Sequence, residues 1–180
     1  MIYFINLLTI SRILLGGIIF LLLTRPEGYI FAFSLFFIAG ITDYFDGYLA
    51  RRYNLTSEVG EILDPIADKI LIVFVLYGLS VNLTSYFVGI LSALIISREI
   101  WVAALRDFNA RQGKSAATKV TFLAKIKTSI QMFTISIYLL GLALNNMLVL
   151  LFGDMFLFMS LLITAYTGYI YTLNTFNNNT

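Results

Sequence analysis

The sequence predicts an all-α, polytopic membrane protein: one domain over residues 1–180, six transmembrane helices, both termini cytoplasmic. Three observations carry that prediction. Only 12% of the residues are charged and 59% are apolar, with a mean hydropathy of +0.88. A soluble domain carries about 25% charged residues, so this chain lacks the polar surface to cover itself in water. Six apolar runs approach the length of about 20 residues that a bilayer requires. Lysine and arginine also segregate between alternate loops, as they do when positive charge is kept inside the cell.

The six runs lie near 5–24, 29–50, 62–81, 85–106, 122–144 and 147–173. The first lacks a basic leader and a small-residue cleavage site, so it reads as a spanning helix rather than a signal peptide. "TRPEG" at 24–28 supplies the turn chemistry that ends it. "YNLTSEVG" at 53–60 separates the second and third runs, and a loop this short makes those two helices antiparallel neighbours. "VNLTS" at 81–85, "ARQGKSAATK" at 110–119 and "LNN" at 144–146 make the remaining breaks, and the tail "NTFNNNT" is polar. Arg51, Arg52 and Lys69 flank the second loop. Arg106, Arg111, Lys114, Lys119, Lys125 and Lys127 flank the fourth. The third and fifth loops have no lysine or arginine, and the first has only Arg25. Loops two and four are therefore expected in the cytoplasm.

The chemistry is bounded by absences. With no cysteine, disulfide and thiol chemistry are excluded, and with no histidine the commonest general base is missing. Acid–base or metal chemistry has to rest on carboxylates, lysine, tyrosine or backbone. No phosphate-binding loop of the nucleoside triphosphatase type occurs.

Against that background "DYFDGYLARRYNLTSEVGEILDPIAD", residues 43–68, holds six acids and two arginines. Asp43 lies about 14 Å along the helix before Arg52, near the inner hydrocarbon boundary. Asp43, Asp46, Gly47, Ala50 and Arg51 share one face of the second helix, and Asp64 and Asp68 share a face of the third. Each intramembrane aspartate costs up to roughly 3 kcal/mol, and four together repel one another. One or two hard divalent cations with oxygen ligands offset both costs. Gly47 and Gly60 leave room for a phosphate, and Arg51 can fork a pair of phosphate oxygens. Together they suit metal-assisted phosphoryl transfer. The plainer reading makes Asp43 and Asp46 solubilising residues and Asp64 a cap before Pro65; it leaves Asp68 without a reason.

The same stretch resembles the signature of the CDP-alcohol phosphatidyltransferase family, D-x2-D-G-x2-A-R-x8-G-x3-D-x3-D. Asp43, Asp46, Gly47, Ala50, Arg51, Gly60, Asp64 and Asp68 match it without a spacing change. The resemblance implies a six-helix membrane domain, a homodimer, and a site facing the cytoplasm of a bacterial inner or plasma membrane. It implies two divalent cations, magnesium or manganese, on Asp43, Asp46, Asp64 and Asp68, with Asp68 as general base. CDP-diacylglycerol would lie against Gly47, Ala50, Arg51 and Gly60. Thr9 and Arg12, in "NLLTISR", resemble a family element close to that site, although Asn6 and Thr9 also suit a plain helix start.

A second block, 97–132, bears on the acceptor. Arg98 and Glu99 fall inside an apolar run, Arg106 follows two turns on, and Lys125 and Lys127 open the fifth helix. Cations around one cytoplasmic mouth attract a phosphorylated acceptor. The positive-inside rule covers Arg111, Lys114 and Lys119 but not the embedded Arg98, and Glu99 can neutralise a cation of a neighbouring helix. This block is similar to the phosphatidylglycerophosphate synthase branch, with Ala124 where relatives often have glycine. By that resemblance Arg98, Arg106, Lys125 and Lys127 hold the phosphate of glycerol 3-phosphate. The resemblance is clearest over 43–69 and 97–132; the last 48 residues match only in hydrophobicity. Other expectations are the same chemistry with a cardiolipin-, inositol-phosphate- or serine-type acceptor, or, from a different class, a small cation transporter. Nothing points to nucleic acid.

Overall fold

The computed structural model describes residues 2–53, 58–118 and 122–177; the side chains of 2–8, 44, 46–53, 58–62, 115, 117, 124 and 125 lie outside that description. Among the described residues six α-helices make up the fold: α1 (Ile2–Leu22), α2 (Tyr29–Tyr53), α3 (Glu58–Asn82), α4 (Tyr86–Arg111), α5 (Phe122–Ala143) and α6 (Met147–Asn177). They run past the apolar runs at the charged ends. An apolar run measures the hydrocarbon a helix crosses, whereas charged residues such as Arg51 and Arg106 are good helix formers and let it continue.

Local chemistry sets the breaks. A Cβ at Gly28 would collide with the Leu22 carbonyl oxygen, so the short 3-10 turn Pro26–Gly28 requires glycine there. Ser85 caps α4 by accepting the Val88 N–H. Gly113, at φ +71°, ends α4 with the Lys114 N–H donating to the Asn109 carbonyl at 2.8 Å. The Asn146 side chain accepts the Leu148 N–H at 3.0 Å and so caps α6.

Polarity is inverted relative to a soluble domain. The outer surface carries large apolar side chains, with Tyr86 90% and Phe122 76% exposed, while Arg12, Asn109, Lys127, Gln131 and a series of threonines are buried. This is how a chain folds in lipid, where packed helices shelter polar groups. Among the described residues, three helices are long and apolar enough to cross a membrane: Tyr86–Arg111, Ile126–Ala143 and Met147–Asn177, with a shorter apolar stretch at Thr9–Leu22. The chain is an all-helical integral membrane protein.

The helices close a ring. Each packs mainly on two others, in the cyclic order α1, α3, α4, α6, α5, α2. Contrary to expectation, among the described residues the shafts of α2 and α3 are not packed directly on each other: α1 stands between them and packs on both. A short loop brings two helix ends together but does not oblige the shafts to touch. The close fit of α1 on α3 wins, because a Cβ at Gly16 would stand 3.2 Å from the Leu71 Cα and one at Gly78 would stand 2.9 Å from Leu23. The cap reading of Asp64 is likewise corrected. α3 begins at Glu58, so Pro65 lies inside the helix and Asp64 is not its cap. α1 and α3 run parallel: Arg12 meets Asp68 at one end, and Asn82 donates to the Leu23 carbonyl at 2.7 Å at the other. An apolar core of Ile19, Phe36, Leu76, Ile95, Ile135 and Leu139 fills the ring.

Candidate active site

The acids converge because three helices bring them to one level. α2 supplies Asp43. α3 supplies Asp64 and Asp68, one turn apart on one face. α1, lying between, inserts Arg12, which is only 1% exposed. Arg12 Nη1 donates to Asp68 Oδ1 at 2.5 Å and pairs with Asp43 Oδ1, and Nη2 lies 3.5 Å from Asp64 Oδ1. The Thr9 hydroxyl, one turn before Arg12, donates to Asp64 Oδ1 at 2.7 Å. One guanidinium thus faces three half-exposed carboxylates.

That arrangement can be tested against the expected divalent cation. Oxygens of Asp43 and Asp68 reach the same nitrogen of Arg12, so the two carboxylates can address one centre of positive charge. The donors are carboxylates, the ligands hard cations prefer. Arg12 brings one positive charge to three carboxylates, and the negative excess favours a divalent ion. The residues therefore fit such a cation. Among the described residues no three acids close into a finished metal shell; Arg12 lies between them.

A cavity of about 720 Å³ adjoins this cluster between α3, α4 and α5. Its volume is that of a small-molecule site. Asp68 and Lys69 line it from α3, Glu99 and Arg106 from α4, Lys127 and Gln131 from α5. A smaller cavity lies on the other side, against Arg12, Asp43 and Asp68. Asp68 thus forms a wall common to the carboxylate cluster and the large cavity.

The cations of the second block divide. Arg106 and Lys127 line the large cavity. Arg106 also lies over the Tyr171 ring, 5.6 Å from its centroid. Lys127 is buried and ion-paired to Glu99 of α4, the interhelical neutralisation expected of that glutamate. Arg98 turns to α6 instead: Nη2 donates to the Thr167 hydroxyl at 2.6 Å and Nη1 to Glu99 at 3.3 Å. A Cβ at Gly168 would stand 3.0 Å from Arg98 Nε, so the glycine makes room for this side chain. Arg98 lines a shallow groove beside Trp101 and Tyr169, not the large cavity. Arg111 pairs with Asp107 at 2.9 Å on the exposed surface. Asp46, Gly47, Ala50, Arg51, Gly60 and Lys125 lie outside the described side chains.

Two further residues line the cavity: Lys69, which the sequence marks only as a loop-flanking cation, and Gln131. The sequence signal for Gln131 is a lone amide in an apolar run, one turn after Lys127.

Comparison with known proteins bears directly on this geometry. The model of the CDP-alcohol phosphatidyltransferase family matches residues 3–167. The match takes in α1 and most of α6, beyond the two blocks that carried the resemblance. The chain is 41% identical over 169 residues to the CDP-diacylglycerol–glycerol-3-phosphate 3-phosphatidyltransferase of Rickettsia bellii, covering 92% of this chain and 91% of that protein. The protein of the same description from Rickettsia typhi is 39% identical over 175 residues, covering 92% and 93%. That from Escherichia coli K12 is 37% identical over 133 residues, covering 73% of each.

Proposed function

The chain belongs to the CDP-alcohol phosphatidyltransferase family, and from that premise we propose that it transfers a phosphatidyl group from CDP-diacylglycerol to glycerol 3-phosphate. The products are phosphatidylglycerophosphate and CMP. The observation that carries this reading is the shared wall at Asp68, which faces the carboxylate cluster on one side and the cation-lined cavity on the other. A nucleotide-linked lipid phosphate and a phosphorylated alcohol would meet there.

Asp43, Asp46, Asp64 and Asp68 would hold magnesium or manganese, two ions in the family reading; when bound, they neutralise charge on the phosphoryl oxygens and on the departing CMP. Asp68 accepts the proton as a terminal hydroxyl oxygen of the acceptor bonds to the phosphorus bearing the diacylglycerol. The bond from that phosphorus to the bridging oxygen breaks, and CMP leaves with the electron pair. Proximity of base and acceptor in one cavity lowers the barrier by orienting both. Gly47, Ala50, Arg51 and Gly60 line the CDP site, which Thr9 and Arg12 border through the carboxylates they hold. Arg106 and Lys127 draw the acceptor phosphate into the cavity with Lys125. Arg98 supports them through Glu99, which it shares with Lys127. The single domain works in the bilayer as a homodimer with six spans, both termini and the site at the cytoplasmic face.

The test is CMP release by purified protein with CDP-diacylglycerol and magnesium, one acceptor at a time. Release with glycerol 3-phosphate, reduced at least about a hundredfold in Asp68→Asn, is the expected result. Release only with inositol phosphate, serine or phosphatidylglycerol would replace the acceptor. No release with any acceptor would overturn the enzyme reading.

A further inference from the structure

We infer that Gln131 recognises the hydroxyl of the acceptor that does not react, and so sets which alcohol is used. This rests on the proposed acceptor, glycerol 3-phosphate. Gln131 is 1% exposed, and its Nε2 has no hydrogen-bond partner among the described residues although it is buried. A buried amide left unpaired is destabilising, and native structures tolerate few of them. Gln131 lines the large cavity, so its amide stands beside the space a ligand would occupy.

Position narrows the ligand group. Gln131 follows Lys127 by four residues on α5, one turn along the same face and about 6 Å along the axis. Lys127 and Arg106 line the cavity with it, and Asp68 faces them from α3. An acceptor whose phosphate is held by the cations and whose terminal hydroxyl is at Asp68 spans the cavity with a three-carbon chain. Its middle carbon carries the remaining hydroxyl. Once that hydroxyl enters a site lined largely by apolar side chains it needs a protein partner, and Gln131 is an amide with free hydrogen-bonding capacity on the same wall. The rest of the cavity's polar lining is ionic or hydroxylic. An amide can donate to an alcohol oxygen without adding charge beside the phosphate.

The prediction is a specificity, read by comparing glycerol 3-phosphate with 3-hydroxypropyl phosphate, which lacks only the middle hydroxyl. Wild-type protein should use the deoxy acceptor at least about thirtyfold less efficiently in kcat/KM, because a site built to pair a hydroxyl rejects the analogue without it. Gln131→Met should bring that ratio below about threefold, mainly by losing glycerol 3-phosphate, with KM for CDP-diacylglycerol unchanged. Gln131→Glu, nearly the same size, removes the Nε2 donor should the methionine variant fail to fold, and should also lower the ratio. Equal use of both acceptors by the wild type would overturn the inference. So would a folded Gln131 variant that keeps the wild-type ratio, which would mean the amide acts on the phosphate or on packing. Absence of CMP release from the wild type with glycerol 3-phosphate would instead overturn the acceptor assignment itself.

Discussion

Arg12 shows how one residue can decide the electrostatics of a membrane site. It is buried, yet it faces Asp43, Asp64 and Asp68, each about half exposed. Removing it leaves those carboxylates to repel one another in a partly desolvated place. Because they retain solvent, the cost is below that of a fully buried broken pair, about 1–3 kcal/mol. Arg12→Ala should therefore melt at a lower temperature than wild type in chelator, and excess magnesium should restore much of the difference by binding the folded state. An unchanged melting temperature in chelator would mean the guanidinium does not balance these acids. Glu99 plays the reciprocal part in the second block, as one carboxylate between Arg98 and Lys127. The sequence placed Arg98 and Lys127 together as cations for a phosphate. The side chains divide, because Thr167 of α6 offers Arg98 a hydroxyl and Gly168 leaves it space.

At the scale of the element, close approach and hydroxyl bonding carry the fold. Thr134, Ser136, Thr167, Thr172 and Thr175 each donate to a carbonyl four residues earlier in their own helix. That satisfies a hydroxyl inside lipid without a partner helix. Thr167 and Thr175 then remain acceptors, for Arg98 and for Asn109. The α1–α3 contact depends instead on missing side chains. At Gly16 the obstruction is the α3 backbone itself, 3.2 Å from a built Cβ, and a backbone cannot move as the end of a side chain can. Gly16→Val should push α1 off α3, cost about 1–3 kcal/mol through overpacking, and lower CMP release as well, because α1 carries Thr9 and Arg12. Thermal melts and turnover measured on the same preparation check both. A variant with wild-type melting and turnover would show that the helices can yield there.

At the scale of the whole molecule, the ring order brings both charged blocks to one cavity. α3 lies between α1, with its arginine, and α4, with Arg106 and Glu99, so Asp68 can serve both sides. The proposed six-span topology makes a prediction that the chain's lack of cysteine renders simple to test. Glu27, before α2, and Gln112, after α4, are both exposed. In intact cells Glu27→Cys should react with a membrane-impermeant maleimide, and Gln112→Cys should react only after permeabilisation. The reverse pattern would invert the protein in the membrane, and equal labelling would break the alternation of spans.

What the sequence determined by itself is local and periodic. Apolar runs marked six helices to within a few residues at most ends, because long apolar stretches bounded by turn residues read as helices. The spacing of Asp64 and Asp68 marked one helix face, and the structure brings both, with Asp43, to Arg12; Asp46 lies outside the described side chains. Glu99 was legible as a counter-ion, because an embedded acid needs a cation. Tertiary structure alone decided which helix touches which. Placing α1 between α2 and α3 depends on how glycines and bulky side chains interlock between segments more than 50 residues apart, and no periodicity records that. The same placement puts Arg12 among the carboxylates. Packing against α6 gives Arg98 a partner in Thr167 outside the large cavity, and the ring places Gln131 in that cavity's lining. Side-chain direction depends on neighbours that only the assembled fold supplies.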